Sequence, residues 1–333
     1  MINPNRQSSA GRSNQHFRSI RRFGQTLTAT AIGISAMAML SVPVKAHPQL
    51  NVFENPPLAD LQRGGIVTFK TLSGETNTLA LGPNEVHWET KVKFTTSKIR
   101  NPNNGVEDTV KLRTYTGKVA DPKIPYVGPT VDIRPGETWR VTIHNDLPQQ
   151  PLADCVANVD VNTPHCFNTT NLHTHGLWIS PTGNSDNVLL SIRPGVTFQY
   201  ESNIPIDHPA GTFWYHPHLH GSTAIQVSNG MAGALIIRGD RAPTPTAQSD
   251  LDTLLRDVKG NPHQERIVLL QQLPYACRDA QGKITTDPAT GYWICKEGAV
   301  GEVTNYGDQL SPGDRAKSGR HTSVNGKIAP CFE

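Results

Sequence analysis

The chain has 333 residues, of which 36% are hydrophobic and 18% charged, with 28 glycines and 26 prolines spread without a repeat. That composition favours short strands joined by turns and excludes a helical bundle or a coiled coil. Residues 1–46 hold six of the 31 basic residues and no acid, so the remainder carries 25 basic against 28 acidic residues, and that net charge of −3 excludes a nucleic-acid-binding reading.

A basic stretch ending in Ser19-Ile20-Arg21-Arg22-Phe23 runs into an apolar segment from Thr26 to Val42, then into the small-residue site Val44-Lys45-Ala46. This is the charge order of a cleaved export signal, and the apolar part is too short for a permanent anchor. Paired arginines and Lys45 beside the cleavage point favour a twin-arginine-like signal over 1–46. An uncleaved amphipathic anchor is the alternative, but no structural helix needs that charge order. The mature chain, with no stretch apolar enough to span a bilayer, is expected in the periplasm or outside the cell.

From Ile66 onward the pattern is β. Val92-Lys93-Phe94-Thr95, Val110-Lys111-Leu112-Arg113 and Val131-Asp132-Ile133 alternate as half-buried strands do. Arg134-Pro135-Gly136-Glu137 reads as a tight turn and Trp139-Arg140-Val141-Thr142-Ile143 as a strand with one apolar face. Phe213-Trp214-Tyr215 and Gly233-Ala234-Leu235-Ile236-Ile237 read as short buried strands, and residues 265–270 as the start of another. The expected organisation is a first domain over 47–239, a polar linker over 240–264 and the beginning of a second domain over 265–333. The first is long enough to close a two-sheet core and the second is not.

Cys155 and Cys166 flank a polar loop, and Cys277 and Cys295 flank a turn-like stretch. Neither pair has the two-residue spacing of a zinc knuckle, so in an oxidising compartment the pairings Cys155–Cys166 and Cys277–Cys295 are expected as disulfides. Cys331 is left over, close to Glu333, and is read as a sign that the chain stops early.

Of the 13 histidines, five fall in His173-Thr174-His175-Gly176 and His216-Pro217-His218-Leu219-His220-Gly221. On a strand, residues i and i+2 share a face about 7 Å apart, so each His-x-His pair projects two imidazoles to one side. Two such strands side by side place four imidazoles around a small metal cluster, and neutral imidazole suits Cu, Zn, Fe and Ni. The alternative, two hydrogen-bonded histidine pairs without metal, would bury four polar rings at a cost. His220 is read as a bystander because Gly221 turns the chain, His208 as a turn cap, and His87, His144, His165, His263 and His321 as solvated or capping residues.

Asn171-Leu172-His173-Thr174-His175-Gly176-Leu177, Gly211-Thr212-Phe213-Trp214-Tyr215-His216-Pro217-His218 and Gly230-Met231-Ala232-Gly233 together closely resemble the first domain of multicopper oxidases, the family that includes laccases. The resemblance runs from Leu112 to Arg238 and continues more loosely over 265–270 and 322–326. It implies an all-β, cupredoxin Greek-key sandwich, complete once and begun a second time. It also implies copper as cofactor, with His173 at a type 2 copper and His175, His216 and His218 at type 3 coppers. The reaction implied couples one-electron oxidation of a reducing substrate to reduction of dioxygen to water. Asp186, in Gly183-Asn184-Ser185-Asp186, matches an acidic position that helps deliver protons to reduced oxygen; a plain turn aspartate is the other reading.

The family's two later motifs, His-Pro-x-His-x-His and His-Cys-His, do not occur in this sequence. A type 1 copper needs a thiolate with two imidazoles, and Met231 reads as core. The copper nitrite reductases are set aside, because Tyr215-His216-Pro217 has proline where they carry the thiolate. The expectation is therefore the N-terminal part of an exported oxidase, with half a trinuclear cluster and no type 1 site. Its partners are dioxygen, an unidentified reductant, and a missing C-terminal domain or a second chain. The alternatives are a non-catalytic copper-binding or storage protein and one subunit of an intersubunit oxidase.

Overall fold

The computed structural model describes residues 52–151, 155, 163–247, 249–303 and 320–328. The export segment and Cys331 lie outside the described residues.

Two sheets face each other. The larger has the order β11 (Val300–Gly301), β3 (Glu107–Thr116), β2 (Thr76–Arg100), β5 (Thr138–Asn145) and β7 (Thr197–Asn203), with β1 (Gln62–Lys70) also paired to β2. The smaller has the order β4 (Val131–Ile133), β9 (Gly233–Ile237), β8 (Gly211–His216) and β6 (His173–His175). From β3 to β8 the chain steps from one sheet to the other at every connection, so strands neighbouring in sequence mostly end up in opposite layers. The chain is all-β, as its composition led us to expect.

Period-two alternation explains the core. Val86, Trp88 and Val92 on β2 and Trp139, Val141 and Ile143 on β5 point inward, against Val131, Ile133, Tyr215, Leu235 and Ile237 of the smaller sheet. At the centre Trp88 stacks on Trp139 with centroids 6.2 Å apart, and Tyr215 meets Trp88 edge-on at 5.4 Å. Each such pair contributes about 0.5–1.5 kcal/mol beyond the area it buries. The Tyr215 hydroxyl donates to Pro129 O at 2.7 Å, so the ring enters the core without stranding its polar end. Gly233 is glycine because a Cβ there would collide with the Tyr215 ring. Met231 is fully buried in this core.

Beyond β9 the structure is less regular. The stretch 240–264 carries a helical turn, α2 (Leu251–Leu254), is closed on itself by the Arg241–Asp250 ion pair at 2.7 Å, and is tied back to the sandwich by Arg241 Nη2 donating to His208 O at 2.8 Å. The strand expected over 265–270 begins only at Leu270, as β10 (Leu270–Pro274), which pairs with β12 (Arg320–Val324). The reason lies in side chains that take the backbone's hydrogen bonds. Ile267 N–H donates to Asn55 Oδ1 (2.9 Å) and Leu269 N–H to Asn325 Oδ1 (2.8 Å), while Asn325 Nδ2 donates to Ile267 O (2.7 Å). With its donors and acceptors satisfied by asparagine amides, the segment is extended but unladdered. Leu273, Tyr275 and Val303 pack with Ile99, Val110, Leu112, Tyr126 and Ile225 in a second buried cluster.

Cys155 pairs with Cys166 and Cys277 with Cys295, with Cα atoms 4.8 and 5.2 Å apart. The reading of the isolated histidines as solvated fails at three positions. His87, His144 and His321 are buried, because β1 folds over the first two and the β10–β12 pair covers the third. A lone histidine carries no periodic signal, so only the tertiary fold decides its environment.

Candidate metal centre

The centre is built where two strands end. β6 pairs antiparallel with β8, setting His173 opposite His216 and His175 opposite Trp214. Alternation turns His173 and His175 to one face and buries Thr174 on the other. β8 stops at His216, because Pro217 has no N–H for the ladder. His218 therefore sits off the strand rather than on it, but its ring still lies 4.9 Å from that of His173 and 5.7 Å from that of His216, centre to centre. The His173 ring is 5.2 Å from His216 and 5.6 Å from His175.

Hydrogen bonds fix which nitrogens face inward. His216 Nδ1 lies 2.8 Å from Pro217 O and His173 Nδ1 lies 2.9 Å from Asp186 Oδ1. Both partners can only accept, so each Nδ1 carries the proton and, in the neutral ring, each Nε2 presents a bare lone pair. His175 Nδ1 stands 3.4 Å from His216 Nε2. One ligand atom from each of His173, His175 and His216 falls within 4.8 Å of the others. His218 Nδ1 is buried without any partner, the state expected of a donor shaped for a bond the protein itself does not supply. Burial, and then the neighbouring histidines, push the His216 imidazole down to about 4, and burial likewise lowers His218. Both rings are thus neutral near pH 7, the form that binds a metal. The donor set fits a borderline transition metal such as copper.

A second ring of residues holds the first. Asp186 Oδ1 also accepts the Thr174 N–H at 2.9 Å, and its own N–H donates to Ser180 O at 3.0 Å. It thus locks the tautomer and orientation of His173 in the way outer carboxylates orient metal-bound histidines. Asn171 is fully buried; its Oδ1 accepts the His218 N–H at 2.6 Å while Nδ2 donates to Val188 O and Leu190 O. The Trp214 ring stacks on His216 at 4.0 Å and on His175 at 5.0 Å. Sequence reasoning did not single out Asn171 or Trp214 for these roles. Their only signal was position, Asn171 two residues before the first histidine and Trp214 two before the third.

The remaining histidines near the site divide clearly. The His220 ring lies 6.0 Å from His218, ahead of helix α1 (Thr223–Ser228). His208 does more than cap a turn. It is fully buried, accepts the Trp178 N–H at its Nε2 (3.1 Å), and packs on Trp178 and Phe213.

Residues 156–242 match the family model described as multicopper oxidase. Among characterised proteins, the chain is 30% identical over 138 residues to a multicopper oxidase of Staphylococcus aureus, covering 39% of this chain and 25% of that protein. It is 42% identical over 76 residues to a laccase of Emericella nidulans, covering 22% and 11%. A solved multicopper oxidase of Campylobacter jejuni, described as a metallo-oxidase, is 20% identical, covers 84% of this chain and 41% of that one, and has a TM-score of 0.47. The matched stretches span a quarter or less of the length of these curated relatives.

Proposed function

We propose that this chain, which belongs to the multicopper oxidase family, supplies His173, His175, His216 and His218 as half of a trinuclear copper cluster in an exported oxidase. The observation that carries the reading is the convergence of the His173, His175 and His216 donor atoms within 4.8 Å, with Asp186 and Pro217 O fixing the tautomers. Copper bound there supplies the one-electron chemistry by which dioxygen is reduced to water.

The chain's own residues have distinct roles in this reading. The four imidazoles bind metal. Asp186 orients His173, and in this reading its carboxyl is also the acid that delivers protons to reduced oxygen. Asn171 and Trp214 hold the rings in place. Among the described residues all four cysteines are in disulfides, so no thiolate is left there for a type 1 copper, and the electron entry site and further imidazoles belong to another segment or another chain. The basic-then-apolar order of residues 1–46 and the two disulfides support export. Among the described residues no helix is long and apolar enough to cross a membrane. The reducing partner is a one-electron donor acting at that entry site.

The test is copper titration of the purified chain, followed by calorimetry and electron paramagnetic resonance. The expected result is tight uptake of copper that is lost in a His175→Ala/His218→Ala double variant. No uptake by a folded chain would overturn the reading. Uptake with oxidase activity restored only by a protein bearing a His-Cys-His motif supports the half-cluster. A copper-loaded chain that such a protein never activates supports the storage reading instead.

A further inference from the structure

A second histidine pair lies outside the metal centre, on the outer face of the larger sheet. His87 on β2 and His144 on β5 are 3% and 0% exposed. Both contact Phe69 at the far end of β1: the His87 ring is stacked on it at 6.3 Å and the His144 ring meets it edge-on at 6.4 Å. Phe69, Val67 and Leu81 form a small apolar cluster of their own. The β1–β2 hairpin is thus laid over the sheet as a strap whose inner surface rests on two imidazoles.

The strap has a hinge and a pin. Arg63 pairs with Val86 but Gly65 pairs with Leu81, so residues 82–85 form an extra loop opposite Gly64. Gly64 and Gly65 have φ of +67° and +80°, a region that glycine enters at no steric cost. Glu85 closes the loop, taking the Gly82 N–H on Oε2 (2.9 Å) and Arg140 on Oε1 (2.7 Å). At the other end, Leu72 N–H donates to Thr197 Oγ1 at 3.1 Å, and Thr197 Oγ1 lies 2.9 Å from His144 Nδ1. His144 Nε2 is 3.0 Å from Glu89 Oε1. Because the carboxylate only accepts, Nε2 carries the proton and the neutral Nδ1 accepts the Thr197 hydroxyl. The pin is therefore a directed chain from Leu72 through Thr197 and His144 to Glu89.

We propose that the β1–β2 hairpin is an acid-released strap, hinged at Gly64–Gly65 and at 82–85, that opens when His87 and His144 become protonated. A proton on His144 Nδ1 reverses the bond to Thr197, whose hydroxyl proton then loses its acceptor in a part-buried place. A proton on His87, whose Nε2 contacts Thr142 Oγ1 at 2.8 Å, puts a charge in a buried place and near the Arg140 guanidinium. Opening rehydrates both rings and relieves that cost. The charged groups facing the pair are Glu85, Glu89 and Lys91 from β2, Arg140 and the following Asp146 from β5, and Glu201 from β7; β1 presents only apolar Val67 and Phe69 there. Burial is the leading influence on both rings and favours their neutral form in the closed state.

The test is hydrogen exchange by mass spectrometry on the full chain at pH 7.5 and 4.5, with rates referenced to the unfolded chain at each pH. Amides over 66–80 are expected to lose at least tenfold in protection at pH 4.5, while those of Gly233–Ile237 keep theirs. A His87→Gln/His144→Gln double variant is expected to abolish the acid response. Thr197→Val, which cuts the pin, is expected to lower protection of 66–80 already at pH 7.5. Equal protection of the wild-type strap at both pH values overturns the proposal. So does an acid response that persists in the double variant, or a Thr197→Val strap as protected as the wild type.

Discussion

Trp214 and His216, two residues apart on β8, have rings 4.0 Å apart and inclined by only 23°. Trp214 lies opposite His175 on β6 as well, so a single indole presses on two of the three convergent imidazoles. Trp214→Leu is expected to weaken copper binding about three- to tenfold, in line with the roughly 0.5–1.5 kcal/mol of an aromatic pair. Trp214→Phe should restore most of it. Titration of the folded variants decides, and an unchanged affinity in Trp214→Leu refutes the role.

Asp186 is expected to matter through its charge and not only its shape. Asp186→Asn keeps an oxygen for the Thr174 N–H but weakens the acceptor facing His173 Nδ1. Copper affinity should fall by about 10–100-fold, the usual cost of losing an outer carboxylate. Unfolding of the metal-free protein should shift little, which separates positioning from folding.

Gly233→Ala drives a methyl group into the Tyr215 ring at the centre of the core. The backbone is β9 and the neighbours are fully buried, so neither partner can yield cheaply. A loss of about 1–3 kcal/mol is expected from overpacking, read as a lower midpoint in urea with an unchanged slope.

Acid sensitivity has a source in the β10–β12 pair as well. His321 is buried with its Nε2 unpartnered, and burial pushes its imidazole down to about 4. Its folded value lies below the unfolded value of 6.5, so the stability is fully present above pH 6.5 and lost as pH falls towards 4. The loss reaches about 3 kcal/mol by pH 4. His321→Leu should flatten the pH dependence of thermal unfolding over that window, and an unchanged slope would refute it.

What could be read from the sequence was local. β4 and β9 have the bounds expected of them, because each is a short apolar or alternating run closed by turn residues. The His-x-His spacing accounts for His173 and His175, which share one face of β6, whereas His218 joins the cluster from beyond the end of β8, where strand periodicity no longer applies. Other features depended on long-range contacts. The segment 265–270 looks like a strand by composition, yet Asn55 and Asn325, distant in sequence, occupy its hydrogen bonds. His87 and His144 look like surface residues until Phe69 covers them. Asn171 has no pattern that marks it as the acceptor for His218, since that contact exists only once β6 and the end of β8 are adjacent.

The asparagine staple at Asn325 also sets a schedule for biosynthesis. Its Nδ2 donates to Glu54 O, 271 residues earlier, as well as to Ile267 O. At about 5–20 residues per second, a ribosome needs roughly 15–55 seconds to travel between those two positions. Throughout that interval the segment at Glu54 is held by Thr130, and later by Ile267, but the bond from Asn325 is still missing, so this edge is fastened in steps and only the last of them waits for Asn325.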